Sequence, residues 1–286
     1  MKLALGTVQF GLNYGVSNRA GKTRTEEVKR ILRLAKSASL NTIDTAAAYG
    51  DAEAVLGNCT INDFNIVSKV KPLPISCNEE EWVHSCLKRT LADLNLNAIY
   101  GLLLHNADDL KKYPSLLEIL YNIKTNNKVA KIGLSVYSPN QVSQPILEKI
   151  DLVQLPVNIF DQRFLTADLL QNFKNNKVEV HTRSAFLQGL LLMSEGEWPE
   201  YFNPIKHSLE QFHLIAKHLN VTPLALAINY VVGIELIDKV VVGVNNEAQL
   251  EEILQALESK LEPNVFYNEL SIEDEKFINP AKWQLG

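Results

Sequence analysis

The stretch "IYGLLLHNADDLKKYPSLLEILYNIKTNNKVAKIGLSV" (residues 99–136) decides the fold. Around it lie an apolar run, "AIYGLLLH" (98–105), and a second, "VAKIGLSV" (129–136). Both are short, bounded by turn residues and too continuously apolar for a strand with one wet face. Between them, residues 112–126 carry apolar side chains at helical spacing. A strand, a helix and a second strand read as a parallel pair joined by a crossover, with both strand faces covered.

Working outward, the same alternation fills the chain. Further apolar runs are "LALGT" (3–7), "LNTID" (40–44), "FNIVSKV" (64–70), "DLVQLPV" (151–157), "VEVHTR" (178–183) and "DKVVVGV" (238–244). With the first two they predict eight strands. The first main helix is opened by "TRTE" (Thr23 to Glu26), a capping-box pattern ahead of Val28, Ile31, Leu32 and Ala35. Others are predicted near 79–94, 112–126, 139–148, 165–174, 205–219, 223–233 and 246–258. Eight strand-helix units over 286 residues imply a (β/α)8 TIM barrel. With no Ser/Gly-rich linker or low-complexity tract, residues 1–286 read as a single domain. The longest irregular stretch, 187–204 after the seventh strand, and the tail 262–286 are expected over the barrel mouth.

Composition narrows the function. The formal charge is −5 and no dense Lys/Arg run occurs, so nucleic acid is not an expected partner. The N-terminal apolar segment is interrupted by Gly and Gln before a signal core forms, and no run approaches a membrane span. Cys59, Cys77 and Cys86 match no zinc or redox spacing, which suits reduced thiols and a cytoplasmic location. His207, His213 and His218 do not align on one helix face, so they read as solvated or capping residues and no metal site is expected.

In a parallel barrel the chemistry collects at the C-terminal strand ends. Those ends carry Asp44, Lys69, His105, Ser135, Gln154 and Arg183. Singly, each has an ordinary reading: a strand-end lysine as a surface charge, a closing histidine as a core residue. Adjacent ends lie only ~5 Å apart, however, so Asp44, Lys69 and His105 face one mouth, and "NTIDTAAAYG" (41–50) adds the Tyr49 phenol. A phenol gives up its proton poorly near neutrality unless a cation stabilises the phenolate. Lys69 is the expected cation and Asp44 the group that keeps it charged. Phenol and imidazole together suit protonation of the oxyanion formed when hydride adds to a carbonyl.

These residues resemble the aldo-keto reductases over nearly the whole length. The resemblance is carried by "LGTVQFG" (5–11), "IDTAAAYGDAEAVLG" (43–57), "SKV" (68–70), "LLLH" (102–105), "KIGLS" (131–135), "VQLPVN" (153–158), "RSAFLQGLL" (183–191) and "VVVGVNNEAQLEEIL" (240–254). It implies an NAD(P)H-dependent reduction of an aldehyde or ketone, with a small or sugar-like carbonyl as substrate. Tyr49 would be the proton donor, Lys69 and Asp44 its tuning pair, and His105 the group that orients the carbonyl. The cofactor positions implied are Thr7, Val8, Asp44, Ser135, Gln154, Arg183, Ser184, Phe186, Gly243, Asn245, Gln249 and Glu252. A monomer or weak homo-oligomer is expected.

The sequence departs from the family pattern in three places. Val136 stands where Asn commonly follows the serine, and Arg183 stands where an aromatic ring often stacks on the nicotinamide. "GVNNEAQLEE" (243–252) offers no Lys or Arg to a 2′-phosphate, so NADH or NADPH remain open as cofactor. Tyr14, Phe160 and Trp283 are candidates to line the mouth. Alternative readings are a non-catalytic cofactor-sensing binding module on the same fold and a barrel enzyme oxidising an alcohol or sugar, which Arg183 disfavours.

Overall fold

Eight apolar runs become eight parallel strands: β1 (Leu3–Gly6), β2 (Thr42–Asp44), β3 (Asn65–Val70), β4 (Ile99–Leu104), β5 (Val129–Ser135), β6 (Leu152–Pro156), β7 (Glu179–Arg183) and β8 (Lys239–Gly243). In the computed structural model, which describes residues 1–259, 261 and 265–285, they form a closed barrel in chain order, with β1 hydrogen-bonded to β8. The registers set Gly6 beside Asp44, Lys69 beside Leu103, Ser135 beside Gln154 and Pro156 beside Arg183. The strand-end residues therefore share one rim. Asp44, Lys69, Ser135 and Gln154 are all buried.

Twelve α-helical segments are seen among the described residues: α1 (Val8–Gly11), α2 (Thr25–Ser37), α3 (Ala52–Gly57), α4 (Glu79–Asp93), α5 (Asp109–Lys112), α6 (Leu116–Thr125), α7 (Gln144–Leu147), α8 (Ala167–Asn175), α9 (Lys206–His218), α10 (Pro223–Val232), α11 (Glu247–Ala256) and α12 (Glu275–Ile278). On α2 the expected stripe of Val28, Ile31, Leu32 and Ala35 is buried. Burying each of its larger aliphatic side chains contributes roughly 1.5–3 kcal/mol. Among the described residues no helix is long and apolar enough to cross a membrane.

Local chemistry corrects several boundaries. The capping box at Thr23 does not form: Arg24 is the N-cap residue, and the Thr23 hydroxyl donates instead to the Asn245 carbonyl. The helix expected over 112–126 is two pieces, parted around Pro114, and the one over 139–148 is a 3-10 turn (Pro139–Gln141) followed by α7. Proline lacks the N–H that a continuous helix needs at these points. The short α3, which follows the Tyr49 turn, is too brief for a periodic signal.

Two large apolar cores and one small cluster are seen among the described residues. The larger lies between strands and helices, and Val67, Leu103 and Leu152 form a separate small cluster with Tyr100 packed against it. The second joins the segment after β7 to α9, α10 and the tail through Leu187, Leu190, Leu191, Phe202, Phe212 and Ile278. Phe160 and Trp283 belong here, Phe160 wholly buried against Phe212 and Trp283 edge-on to Phe202. Both pack rather than line the mouth. His213 also departs from the solvated reading, its ring lying against Phe212 and Trp198. Of the tail, residues 262–264 and 286 lie outside the described residues, while Pro280 and Ala281 reach the mouth cavity.

Candidate active site

Asp44 ends β2 and Lys69 lies near the end of β3, so neighbouring parallel strands bring the two side chains together. Lys69 Nζ donates to both Asp44 carboxylate oxygens at 2.8 and 2.7 Å and to the Thr45 carbonyl at 3.0 Å. Gln154 Nε2 donates to Asp44 Oδ1 at 2.6 Å, and the Thr7 hydroxyl donates to the Asp44 carbonyl at 3.0 Å. The lysine is almost wholly buried. Burial pushes its ammonium below the ordinary lysine range, and the Asp44 charge opposes that. Beneath it, Glu53 accepts from Ser68 at 2.5 Å and from Thr90 at 3.1 Å, a buried carboxylate tying α3 to β3 and α4.

Tyr49 sits on the turn after β2, and two glycines set its position. A Cβ on Gly11 would lie 1.8 Å from the Tyr49 carbonyl oxygen, and one on Gly50 would lie 2.3 Å from the Gly11 carbonyl oxygen. Gly50 also has φ +59°, in the left-handed region that favours glycine. The backbones of the two segments thus press directly together. With the small, buried Ala46 in the spacer, the phenol turns back over Lys69, whose Nζ is 3.4 Å from the Tyr49 hydroxyl. The His105 ring stands edge-on to Tyr49, centroids 5.7 Å apart.

The electrostatics modify the tuning expected from sequence. Burial first, and the Asp44 charge second, push the Tyr49 phenol well above the ordinary tyrosine range. The cation whose charge works against them is Arg183, rather than the Lys69 expected from the sequence. Tyr49 therefore holds its proton at neutral pH. Burial pushes the His105 imidazole from 6.5 down to about 4, with the Lys69 charge acting in the same direction. His105 is then neutral in the working range and able to donate or accept one hydrogen bond.

The His105 shift has a stability consequence. The unfolded chain takes up this proton near pH 6.5 and the folded chain only near 4, so stability is lost as pH falls through that window. The loss approaches ~3 kcal/mol at the acid end. Urea unfolding at about pH 7.5 and about pH 4.5 should show a smaller acid loss in His105→Asn than in the parent chain. Equal losses would mean that His105 titrates normally in the fold.

The mouth opens into a cavity of about 480 Å³. Thr7, Val8, Asp44, Ser135, Gln154, Arg183, Ser184, Phe186, Gly243, Asn245, Gln249 and Glu252 all line it, with Tyr49 and His105 at its inner end. Tyr14 lines it too. Lys69 is reached only through Asp44 and Tyr49. Sequence reasoning missed Gln9, whose side chain lies where a Cβ on Gly243 would sit, and Tyr137, just beyond the end of β5. Tyr137 is the aromatic partner of Arg183, whose guanidinium carbon lies 4.1 Å from the ring centroid. Arg183 Nη2 donates to the Val136 carbonyl at 3.0 Å, so the backbone of Val136 is used where its side chain offers nothing polar. At the far end, Gln249 Oε1 accepts from the Asn245 N–H at 2.8 Å and is partly committed to shaping the loop.

Four cavity-lining residues carry buried polar atoms without a protein partner: Gln9 Oε1, His105 Nδ1, Gln154 Oε1 and Asn245 Oδ1. Leaving such atoms unsatisfied costs ~1–3 kcal/mol each. A dinucleotide with a carboxamide and ribose hydroxyls supplies partners of the right kind, so these residues fit a nicotinamide cofactor. Gln154 is oriented for it, since its amide nitrogen is engaged by Asp44 and its oxygen is left to accept.

The sequence model of the Aldo/keto reductase family matches residues 2–269. Among solved structures, the holo form of aldo-keto reductase AKR11C1 from Bacillus halodurans aligns with a TM-score of 0.76 at 18% identity, over 96% of this chain and 95% of that one. The glycerol dehydrogenase AKR11B4 from Gluconobacter oxydans aligns with a TM-score of 0.75 at 18% identity, over 98% and 92%. Comparison with curated proteins gives no match. At these identities the structural likeness speaks for the barrel alone.

Proposed function

The chain belongs to the aldo/keto reductase family, and from that premise we propose that it reduces an aldehyde or ketone to the alcohol with NADH or NADPH, Tyr49 giving the proton. The observation that carries this reading is the convergence of Asp44, Lys69, Tyr49 and His105 at the inner end of one cavity. A reduced nicotinamide, when bound, supplies the hydride to the carbonyl carbon. The chain does the rest. His105, neutral, donates to the carbonyl oxygen and orients it. As the C=O electrons move onto oxygen, that oxygen takes the proton from Tyr49 Oη. The phenolate left behind is stabilised by the Lys69 ammonium and the Arg183 charge until solvent returns a proton.

Ser135 and Gln154 would hold the carboxamide, and the segment from Gly243 to Glu252 the adenosine. Arg183 is the one Lys or Arg among the described residues lining the cavity. A 2′-phosphate therefore gains little at the adenosine end, and Arg183 would repel an oxidised, positively charged nicotinamide, which favours reduction. Titrations with NADH and NADPH, followed by tryptophan quenching, should give affinities within about tenfold of each other. Aldehyde-dependent oxidation of the bound cofactor should follow. Tight binding without turnover of any aldehyde in a broad panel would sink the reductase reading and leave the cofactor-sensing module in its place.

A further inference from the structure

Arg183 is an uncompensated cation in the reaction cavity. Of the five N–H donors on its guanidinium, one engages the Val136 carbonyl, and one face rests on Tyr137. No carboxylate among the described residues lies within ion-pair distance of it, whereas the half-buried Arg163 is gripped by Asp161 and Glu275. The carboxylates lining the cavity are Asp44 and Glu252. Asp44 is ion-paired to Lys69, and Glu252 lies at the exposed adenosine end. A guanidinium held in place at both its edge and its face, with donors left over, is preorganised for an oxyanion.

Two oxyanions are conceivable, a carboxylate on the substrate or the diphosphate of the cofactor. The diphosphate is separated from the nicotinamide ring by a ribose, so it lies away from the reacting carbonyl. Arg183 ends β7 and lines the same cavity as Tyr49 and His105, the two groups that face that carbonyl. Resting on the reductase reading above, we propose that Arg183 selects the substrate: the cavity takes a short oxo acid, its carboxylate on Arg183 and its aldehyde or keto group on Tyr49 and His105. The carboxylate contributes a negative charge beside a cation that has no carboxylate partner among the described residues.

The test compares glyoxylate, succinate semialdehyde and 2-oxobutyrate with their methyl esters, in the parent enzyme, Arg183→Lys and Arg183→Met, with cofactor affinity measured alongside by tryptophan quenching. The parent should prefer at least one acid over its ester by about 100-fold in kcat/KM, ~2.7 kcal/mol at ~1.36 kcal/mol per decade. That acid-to-ester ratio should fall to near unity in Arg183→Met and be intermediate in Arg183→Lys, because dividing by the ester removes any common effect on the chemistry. Esters reduced as well as acids by the parent would overturn the substrate assignment while leaving the reductase reading intact. An unchanged ratio in Arg183→Met, with cofactor affinity weakened more than about tenfold, would also overturn it and place the diphosphate on Arg183. Turnover of neither acid nor ester by a protein that binds cofactor would overturn the oxo-acid assignment, while turnover of other aldehydes in the broad panel would keep the reductase reading standing.

Discussion

Tyr49→Phe is expected to lower kcat/KM for aldehyde reduction by ~10³-fold, within the range of ~10²–10⁴ for loss of a positioned general acid. The substitution keeps the ring that packs against His105 and removes only the hydroxyl. Lys69 keeps its bonds to Asp44 and Thr45, so the fold should lose less than ~1 kcal/mol. Cofactor affinity should move by less than about threefold, since neither Gln154 nor Ser135 depends on the phenol. The strongly raised phenol pKa sharpens the expectation. A group that stays protonated to high pH is a proton reservoir that releases only when an oxyanion appears beside it. Rates in Tyr49→Phe within a factor of about three of the parent would take Tyr49 out of the reaction.

Lys69→Met is expected to damage both fold and chemistry. It is close in volume, so packing changes little, but it strips the Asp44 carboxylate of both lysine bonds and leaves Gln154 as its side-chain donor. Breaking one side of a buried ion pair costs ~3–5 kcal/mol, readable as a lower urea midpoint with an unchanged slope. The double variant Lys69→Met with Asp44→Asn removes the stranded charge and should recover most of that stability. It should not recover turnover, because the Tyr49 phenolate would still lack its nearest cation. Recovery of activity together with stability in the double variant would show that Lys69 serves the fold alone. A single variant as stable as the parent would mean that Asp44 is protonated or solvated rather than ion-paired.

How much of this was legible beforehand differs by feature. The strand runs could be read because a parallel strand buried on both faces must be apolar along its length, and that requirement is local. The rim of Asp44, Lys69, His105, Ser135, Gln154 and Arg183 followed, since parallel strands in chain order put all their C-terminal ends on one side. Gly50 at a positive φ, beside a run of alanines, is likewise a local mark of the turn that aims Tyr49.

The sequence by itself therefore determined the barrel, the rim on which its polar strand ends gather and four groups that meet there. Tertiary structure alone decided what surrounds them. Which cation acts against the Tyr49 shift, whether Lys69 is held more by Asp44 than it is unsettled by burial, and what Arg183 rests on depend on distances between residues tens of positions apart. They also depend on a balance of desolvation against charge that residue spacing does not contain. The Val136 carbonyl and the Tyr137 ring carry no motif. Their role exists only because the end of β5 and the end of β7 meet over the same mouth.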